Sequence, residues 1–137
     1  MRSTKPILLV EDDQVDAMTV KRALNEIKVT NRLDIVNNGE EALTFLRDPG
    51  NDNPGIILLD LNMPKMNGIE FLKIAKKDES LKMIPVVVLT TSKEDQDKVD
   101  SFNLGVAGYM IKPVDYRKFV EVVKTIKFYW TLSELPD

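Results

Sequence analysis

The sequence ILLVEDD, Ile7 to Asp13, joins four apolar residues directly to three consecutive carboxylates, Glu11, Asp12 and Asp13. A short apolar run bounded by charge is typical of a strand that is buried on both faces of a parallel sheet. The carboxylates then lie at the carboxyl end of the strand, where open α/β sheets bind their ligands. Like charges crowded at the edge of a core are unfavourable without a positive partner, so a divalent cation is the natural candidate.

The composition restricts the possible chemistry. A chain of 137 residues, 43% hydrophobic and 30% charged, is typical of one soluble globular domain. The net charge of −3 argues against a nucleic-acid partner. The absence of cysteine excludes disulfides, and the absence of histidine excludes imidazole bases and most zinc sites. Any metal must be held by oxygen, which favours magnesium, calcium or manganese.

The N-terminal apolar run is four residues long, shorter than a signal peptide requires and far shorter than the about 20 residues of a membrane span. We therefore expect a cytoplasmic protein that does not associate with a membrane.

Five short apolar runs alternate with five amphipathic stretches along the chain. The apolar runs are Ile7–Val10, Leu33–Val36, Ile56–Leu59, Pro85–Leu89 and Gly108–Ile111. The apolar positions with helical spacing are Val15, Met18, Leu24 and Ile27; Ala42, Leu43 and Leu46; Ile69, Leu72 and Ile74; Val99, Phe102 and Leu104; and Phe119, Val122, Val123, Ile126, Phe128 and Tyr129. This alternation predicts a single α/β domain over residues 1–137, with a parallel sheet covered by helices on both faces.

Turn residues support the boundaries between these elements. Asn37–Gly39 separates the second strand from its helix, and Asp48–Gly50 ends that helix. Asn67 and Gly68 open the third helix, and Ser92 is a candidate cap for the fourth.

The polar residues that interrupt the apolar pattern all follow strands: Glu11 and Asp12, Asp60, Thr90 and Lys112. If the strand order is 2-1-3-4-5, the first and third strands are neighbours, and the three carboxylates would then converge. Two carboxylates and a backbone carbonyl, such as that of Asn62, suit Mg²⁺. A carboxylate beside a metal and a lysine is well placed to accept a phosphoryl group.

Each of these residues also has an ordinary structural interpretation. Asp13, and less readily Asp12, can cap the first helix. Asp60 can be a solvated loop residue and Lys112 a surface lysine. The joint placement at strand ends favours a site.

The motifs ILLVEDD, IILLDLNMPKMNG, VVVLTTS and GYMIKP, in this order, resemble the receiver domain of two-component response regulators. The resemblance implies a flavodoxin-like, doubly wound (βα)₅ fold with a five-stranded parallel sheet of order 2-1-3-4-5. It assigns the metal to Glu11, Asp12, Asp60 and the Asn62 carbonyl, and the phosphoryl group to Asp60. It makes Thr90 and Lys112 catalytic, pairs Thr90 with Tyr109 as the switch, and suggests a cis Lys112–Pro113 bond. Asp13 is left outside the metal site as a residue of the helix start.

The resemblance also implies a function. A histidine kinase or a histidine phosphotransfer protein donates the phosphoryl group, since this chain has no histidine of its own. Mg²⁺ is the expected cofactor, with Mn²⁺ as a substitute. The chain is not a conventional enzyme, because it catalyses only its own phosphorylation and dephosphorylation. Phosphorylation changes the surface of the fourth helix, fifth strand and fifth helix, which signals through protein–protein contacts.

The C-terminal segment, about 126–137, is rich in aromatic residues. Phe128, Tyr129, Trp130 and Leu132 can be additional core or an interface. The whole chain resembles the small standalone regulators that partner bacterial phytochrome-type kinases, in which related tails contribute to dimerisation. A homodimer is therefore a further expectation.

Three other classes of function remain open. A metal-dependent phosphohydrolase would use Asp60 as its nucleophile, although its common motif has an aspartate where Asn62 stands. A flavin or nucleotide binder would share the architecture, but the chain has no glycine-rich phosphate-binding motif. A phosphate-independent interaction module would not need the acidic cluster.

Overall fold

The computed structural model describes the backbone of residues 4–132 and the side chains of residues 4–130. The strands are β1 (Ile7–Val10), β2 (Leu33–Val36), β3 (Ile56–Leu59), β4 (Val86–Thr90) and β5 (Gly108–Ile111). The helices are α1 (Gln14–Glu26), α2 (Gly39–Arg47), α3 (Gly68–Ala75), α4 (Asp95–Asn103) and α5 (Tyr116–Leu132). Within these residues no helix combines the length and apolarity needed to cross a membrane.

The strands form one parallel sheet of order β2-β1-β3-β4-β5, which confirms the predicted fold. Strand β1 lies between β2 and β3, and Val10 at its end is aligned with Leu59 at the end of β3. The residues that follow these two positions, Glu11 and Asp60, therefore leave the sheet side by side.

The apolar strands fill two cores, one on each face of the sheet. In β1, Leu8 and Val10 join the core beneath α2 and α3, whereas Ile7 and Leu9 join the core beneath α1 and α5. Strand β3 alternates in the same way. Because both faces are covered, the central strands β1 and β3 are apolar and buried throughout, whereas the edge strand β2 contains the half-buried Asp34 and the exposed Ile35.

The predicted inner face of α1 is wrong in part. Val15 and Met18 are exposed, and the buried positions are Ala17, Val20, Ala23 and Leu24. Two of these four are alanines, whose small side chains do not stand out in an apolar pattern, and Leu24 is the one residue of the predicted set that is buried. Of the other predicted helical positions, the exposed ones are Ile74, Val99, Phe102, Phe128 and Tyr129.

Side-chain caps define several helix starts. Asn67 opens α3 and Asp13 caps α1, both as predicted, with Asp13 accepting the amide hydrogen of Asp16. Asn38 caps α2. The predicted cap at Ser92 is wrong, because α4 begins after Glu94. The Ser92 hydroxyl instead donates to Asp97 at 2.6 Å.

The aromatic end of α5 divides between core and surface. Trp130 is 2% exposed and belongs to the core beneath α1 and α5, whereas Phe128 is 58% exposed. The Trp130 ring covers Gly55, where an added Cβ would lie 2.8 Å from Cζ2. The side chain of Leu132 and residues 133–137 of the predicted tail lie outside the described part of the chain.

We expect Trp130→Ala to lower the free energy of unfolding by about 3–5 kcal/mol, because a large buried side chain is removed. The matched control is Phe128→Ala, two residues away and largely exposed, which should change stability by no more than about 0.5 kcal/mol at protein concentrations where the chain is monomeric. Urea unfolding followed by circular dichroism measures both changes. Equal losses in the two variants would contradict the assignment of Trp130 to the core.

Candidate functional site

Three carboxylates meet at the carboxyl edge of the sheet, as the sequence predicted. Glu11 is 2% exposed and Asp60 is 5% exposed, whereas Asp12 is open to solvent. One carboxylate oxygen from each residue can be chosen so that all three lie within 4.8 Å of one another. The aligned ends of β1 and β3 produce this cluster, and Asp13 is turned away from it as the cap of α1.

The Glu11 carboxylate is held from two sides. Its Oε1 accepts a short hydrogen bond from Nζ of Lys112, and its Oε2 accepts the amide hydrogen of Asp13 at 3.2 Å. Burial raises the pKa of Glu11 to about 7; the hydrogen bond from Lys112 opposes this rise, and the charge of Asp60 adds to it. Glu11 is therefore only partly ionised near neutral pH while no cation is bound.

Lys112 follows β5, and its amide donates to the carbonyl oxygen of Thr90 at 2.8 Å. Its side chain is 8% exposed, and Nζ contacts both Glu11 and Asp16, the latter at 3.1 Å. Burial by itself would lower the pKa of Lys112, but the nearby carboxylates of Glu11, Asp60 and Asp16 raise it on balance. The lysine is therefore a cation at neutral pH.

The prediction of a cis Lys112–Pro113 bond is wrong, since every peptide bond in the described chain is trans. The trans form is favoured by about 0.5–1 kcal/mol before proline. In this conformation Lys112 already reaches Glu11, so the contact does not require the cis form.

A hydroxyl group faces Asp60 from the neighbouring strand. Thr90 is fully buried, and its Oγ1 donates to Oδ1 of Asp60 at 2.8 Å. The same Oγ1 accepts the amide hydrogen of Ser92 at 3.3 Å. The carbonyl of Ser92 in turn accepts the phenol hydrogen of Tyr109 at 3.0 Å. A continuous chain of contacts thus runs from Asp60 through Thr90 and Ser92 to Tyr109.

The loop after β3 is packed tightly beneath Asp60. A Cβ on Gly68 would lie 2.6 Å from the carbonyl oxygen of Asp60 and 2.8 Å from Cα of Leu61. Only glycine fits there without displacing backbone, which gives Gly68 a role near the site that the sequence analysis missed. Asn62 lies in this loop and is exposed; its carbonyl as a metal ligand stays a prediction.

Asp16 was also missed as a site residue. It lies in the first turn of α1, where an acid is sufficiently explained by the helix dipole, so its contact with Lys112 gave no separate signal in the sequence.

The donors at this edge fit a divalent cation. They are carboxylate oxygens, the ligands of hard cations such as Mg²⁺ and Mn²⁺. Two of them are buried next to each other with one ammonium group to offset their charge. A bound cation would favour the ionised form of Glu11, which burial opposes.

Comparison with known proteins agrees with this geometry. A family model described as the response regulator receiver domain matches residues 7–124. The chain is 41% identical over 127 residues to the probable methanogenesis regulatory protein FilR2 of Methanothrix harundinacea, covering 90% of this chain and 82% of FilR2. It is 38% identical over 130 residues to the response regulator Rcp1 of Synechocystis, covering 92% of this chain and 88% of Rcp1.

Solved structures give the same result. The phosphorylated cyanobacterial phytochrome response regulator RcpA superposes with a TM-score of 0.91 at 38% identity, covering 98% of this chain and all of RcpA. The Mn²⁺-bound form of Rcp1 superposes with a TM-score of 0.89 at 38% identity, covering 97% of this chain and 99% of that one.

We expect the affinity for a divalent cation to fall about tenfold between pH 8 and pH 6. The pKa of Glu11 is about 7, so protons compete with the metal increasingly below that pH. Calorimetric titration with MgCl₂ at the two pH values measures the change. The Glu11→Gln variant should bind weakly at both, and an unchanged affinity of the wild type would contradict the assignment of Glu11 as a ligand.

Proposed function

Because the chain belongs to the family of response regulator receiver domains, we propose that it accepts a phosphoryl group on Asp60 from a phosphohistidine. The donor is a histidine kinase or a histidine phosphotransfer protein, and the transfer takes place in the cytoplasm. One observation carries the choice of Asp60. It is a buried carboxylate with a hydroxyl donor 2.8 Å away and with both the second buried acid and the lysine beside it.

The transfer is a displacement at phosphorus. An oxygen of Asp60 attacks, a P–O bond forms, and the P–N bond of the phosphohistidine breaks with its electron pair moving to the imidazole nitrogen. Lys112 and the Thr90 hydroxyl are placed to stabilise the negative phosphoryl oxygens. Dephosphorylation ends the signal: water attacks the same phosphorus, the P–O bond to Asp60 breaks, and inorganic phosphate leaves. The chain thus catalyses only its own phosphorylation and dephosphorylation.

The proposed cofactor is Mg²⁺, with Mn²⁺ as a substitute, held by Glu11, Asp12, Asp60 and the carbonyl of Asn62. When bound, the ion neutralises charge on the transferring group. The carboxylate cluster supports this assignment, as does the relative Rcp1, whose structure is described as Mn²⁺-bound.

The proposed output is a change of surface. The contacts from Asp60 through Thr90 and Ser92 to Tyr109 connect the acceptor with the region of α4, β5 and α5. A phosphoryl group on Asp60 competes for the Thr90 hydroxyl and so disturbs the chain at its first link. We take residues 1–137 as a single receiver domain that signals through protein contacts. A homodimer belongs to the same proposal, supported by the exposed Phe128 on α5.

We expect the wild type to gain the mass of one phosphoryl group when it is incubated with phosphoramidate and Mg²⁺. Asp60→Asn should gain none, because the amide is not a nucleophile for this reaction. The matched control Asp52→Asn changes an exposed loop acid and should be phosphorylated like the wild type. Intact mass spectrometry reads all three, and an Asp60→Asn protein that gains as much as the wild type would disprove the proposal. Sustained turnover of a small phosphate ester would instead favour a phosphohydrolase.

Removing the hydroxyl beside Asp60 should slow this phosphorylation by roughly a hundredfold, because one preorganised donor to the phosphoryl oxygens is lost. Thr90→Val removes the hydroxyl and keeps the branched shape. The control is Thr91→Val, the exposed neighbour of Thr90, which should react at the wild-type rate. If both variants react alike, Thr90 has no role in the transfer.

A further inference from the structure

The ammonium group of Lys112 has a partner that is outside the carboxylate cluster. Asp16 lies in the first turn of α1, and its Oδ2 is 3.1 Å from Nζ. We propose that Asp16 is a positioning residue that competes with the phosphoryl group for Lys112, and so slows the phosphorylation of Asp60. This inference rests on the function proposed above.

The first turn of α1 fixes the position of Asp16. The amide of Asp16 donates to Oδ1 of the capping residue Asp13 at 3.0 Å. This hydrogen bond fixes the backbone of the first turn of α1. The Asp16 carboxylate then faces the end of β5, 96 residues further along the chain, where Lys112 leaves the sheet. Asp13 contributes its own charge at the same helix end, but its side chain bonds to the helix amide and not to the lysine.

The hydrogen bonds of Lys112 show where the competition lies. An ammonium group has three donors. In the described chain, Lys112 donates to Glu11 and to Asp16 and makes no hydrogen bond to Asp60. The third donor is available to a phosphoryl group on Asp60, but Nζ must approach that group while two carboxylates attract it elsewhere.

The two carboxylates differ in how easily they release the lysine. Glu11 is enclosed, with 1% of its side chain exposed, and would lose a buried contact. The Asp16 side chain is 43% exposed and borders a cavity of about 300 Å³, together with Thr19, Thr91 and Val114. Water can replace the lysine at Asp16, so this contact is the one that yields. Its free energy is that of a solvated ion pair, which sets the expected effect at about two- to fivefold in rate.

The experiment compares Asp16→Asn with Asp13→Asn. Both variants remove one negative charge from the start of α1, and asparagine keeps the capping ability of position 13. With phosphoramidate and Mg²⁺, a P–O bond forms to Asp60 as the P–N bond breaks and ammonia leaves. We expect Asp16→Asn to be phosphorylated about two- to fivefold faster than the wild type, and Asp13→Asn at the wild-type rate. Equal acceleration in both variants would show a general effect of charge, and no acceleration in Asp16→Asn would also overturn the inference.

A second measurement needs neither metal nor phosphate. In protein with ¹⁵N-labelled lysine, the Nζ resonance of Lys112 should shift in Asp16→Asn and stay unchanged in Asp13→Asn. An unmoved resonance in Asp16→Asn would overturn the inference. Failure of the proposed function would look different from failure of this inference about Asp16. It would appear as a wild type that itself gains no phosphoryl group on Asp60.

Discussion

The arrangement of polar groups at this edge of the sheet depends on two carboxylates that are buried side by side. Glu11 and Asp60 lie next to each other because the parallel register aligns Val10 with Leu59, and each acid directly follows the last residue of its strand. Both are nearly inaccessible to water, so their repulsion is weakly screened. The ammonium of Lys112 contacts Glu11 and the hydroxyl of Thr90 donates to Asp60, and both contacts offset part of that repulsion.

Packing holds Asp60 in place despite the repulsion from Glu11. Two apolar cores pack against the two faces of the sheet, and Gly68 allows the start of α3 to lie directly against the backbone of Asp60. The acid therefore has little freedom to move away from its neighbours.

The alternation of strands and helices could be predicted from the sequence because it follows from rules that act along each segment, whereas the strand order came from the resemblance to receiver domains. Apolar runs ending in acids indicate strand ends, and parallel strands bring those ends together. The inner face of α1 was predicted only in part, because Ala17 and Ala23 contribute to the contact without standing out from the pattern. The contact of Asp16 with Lys112 was missed because it depends on how two side chains meet across 96 residues. The isomer of Lys112–Pro113 was predicted wrongly because the intrinsic preference for either form is small.

The length of α5 has a practical consequence for anyone who defines the limits of this domain. The segment that matches the family model stops at residue 124, but the helix continues to Leu132. Ile126 and Trp130, both beyond that point, are among the buried residues of one core, and Trp130 covers Gly55 just before β3. A recombinant fragment trimmed to the family boundary would lose these two core residues and uncover the start of β3 on that side. Expression designs should therefore keep the whole helix.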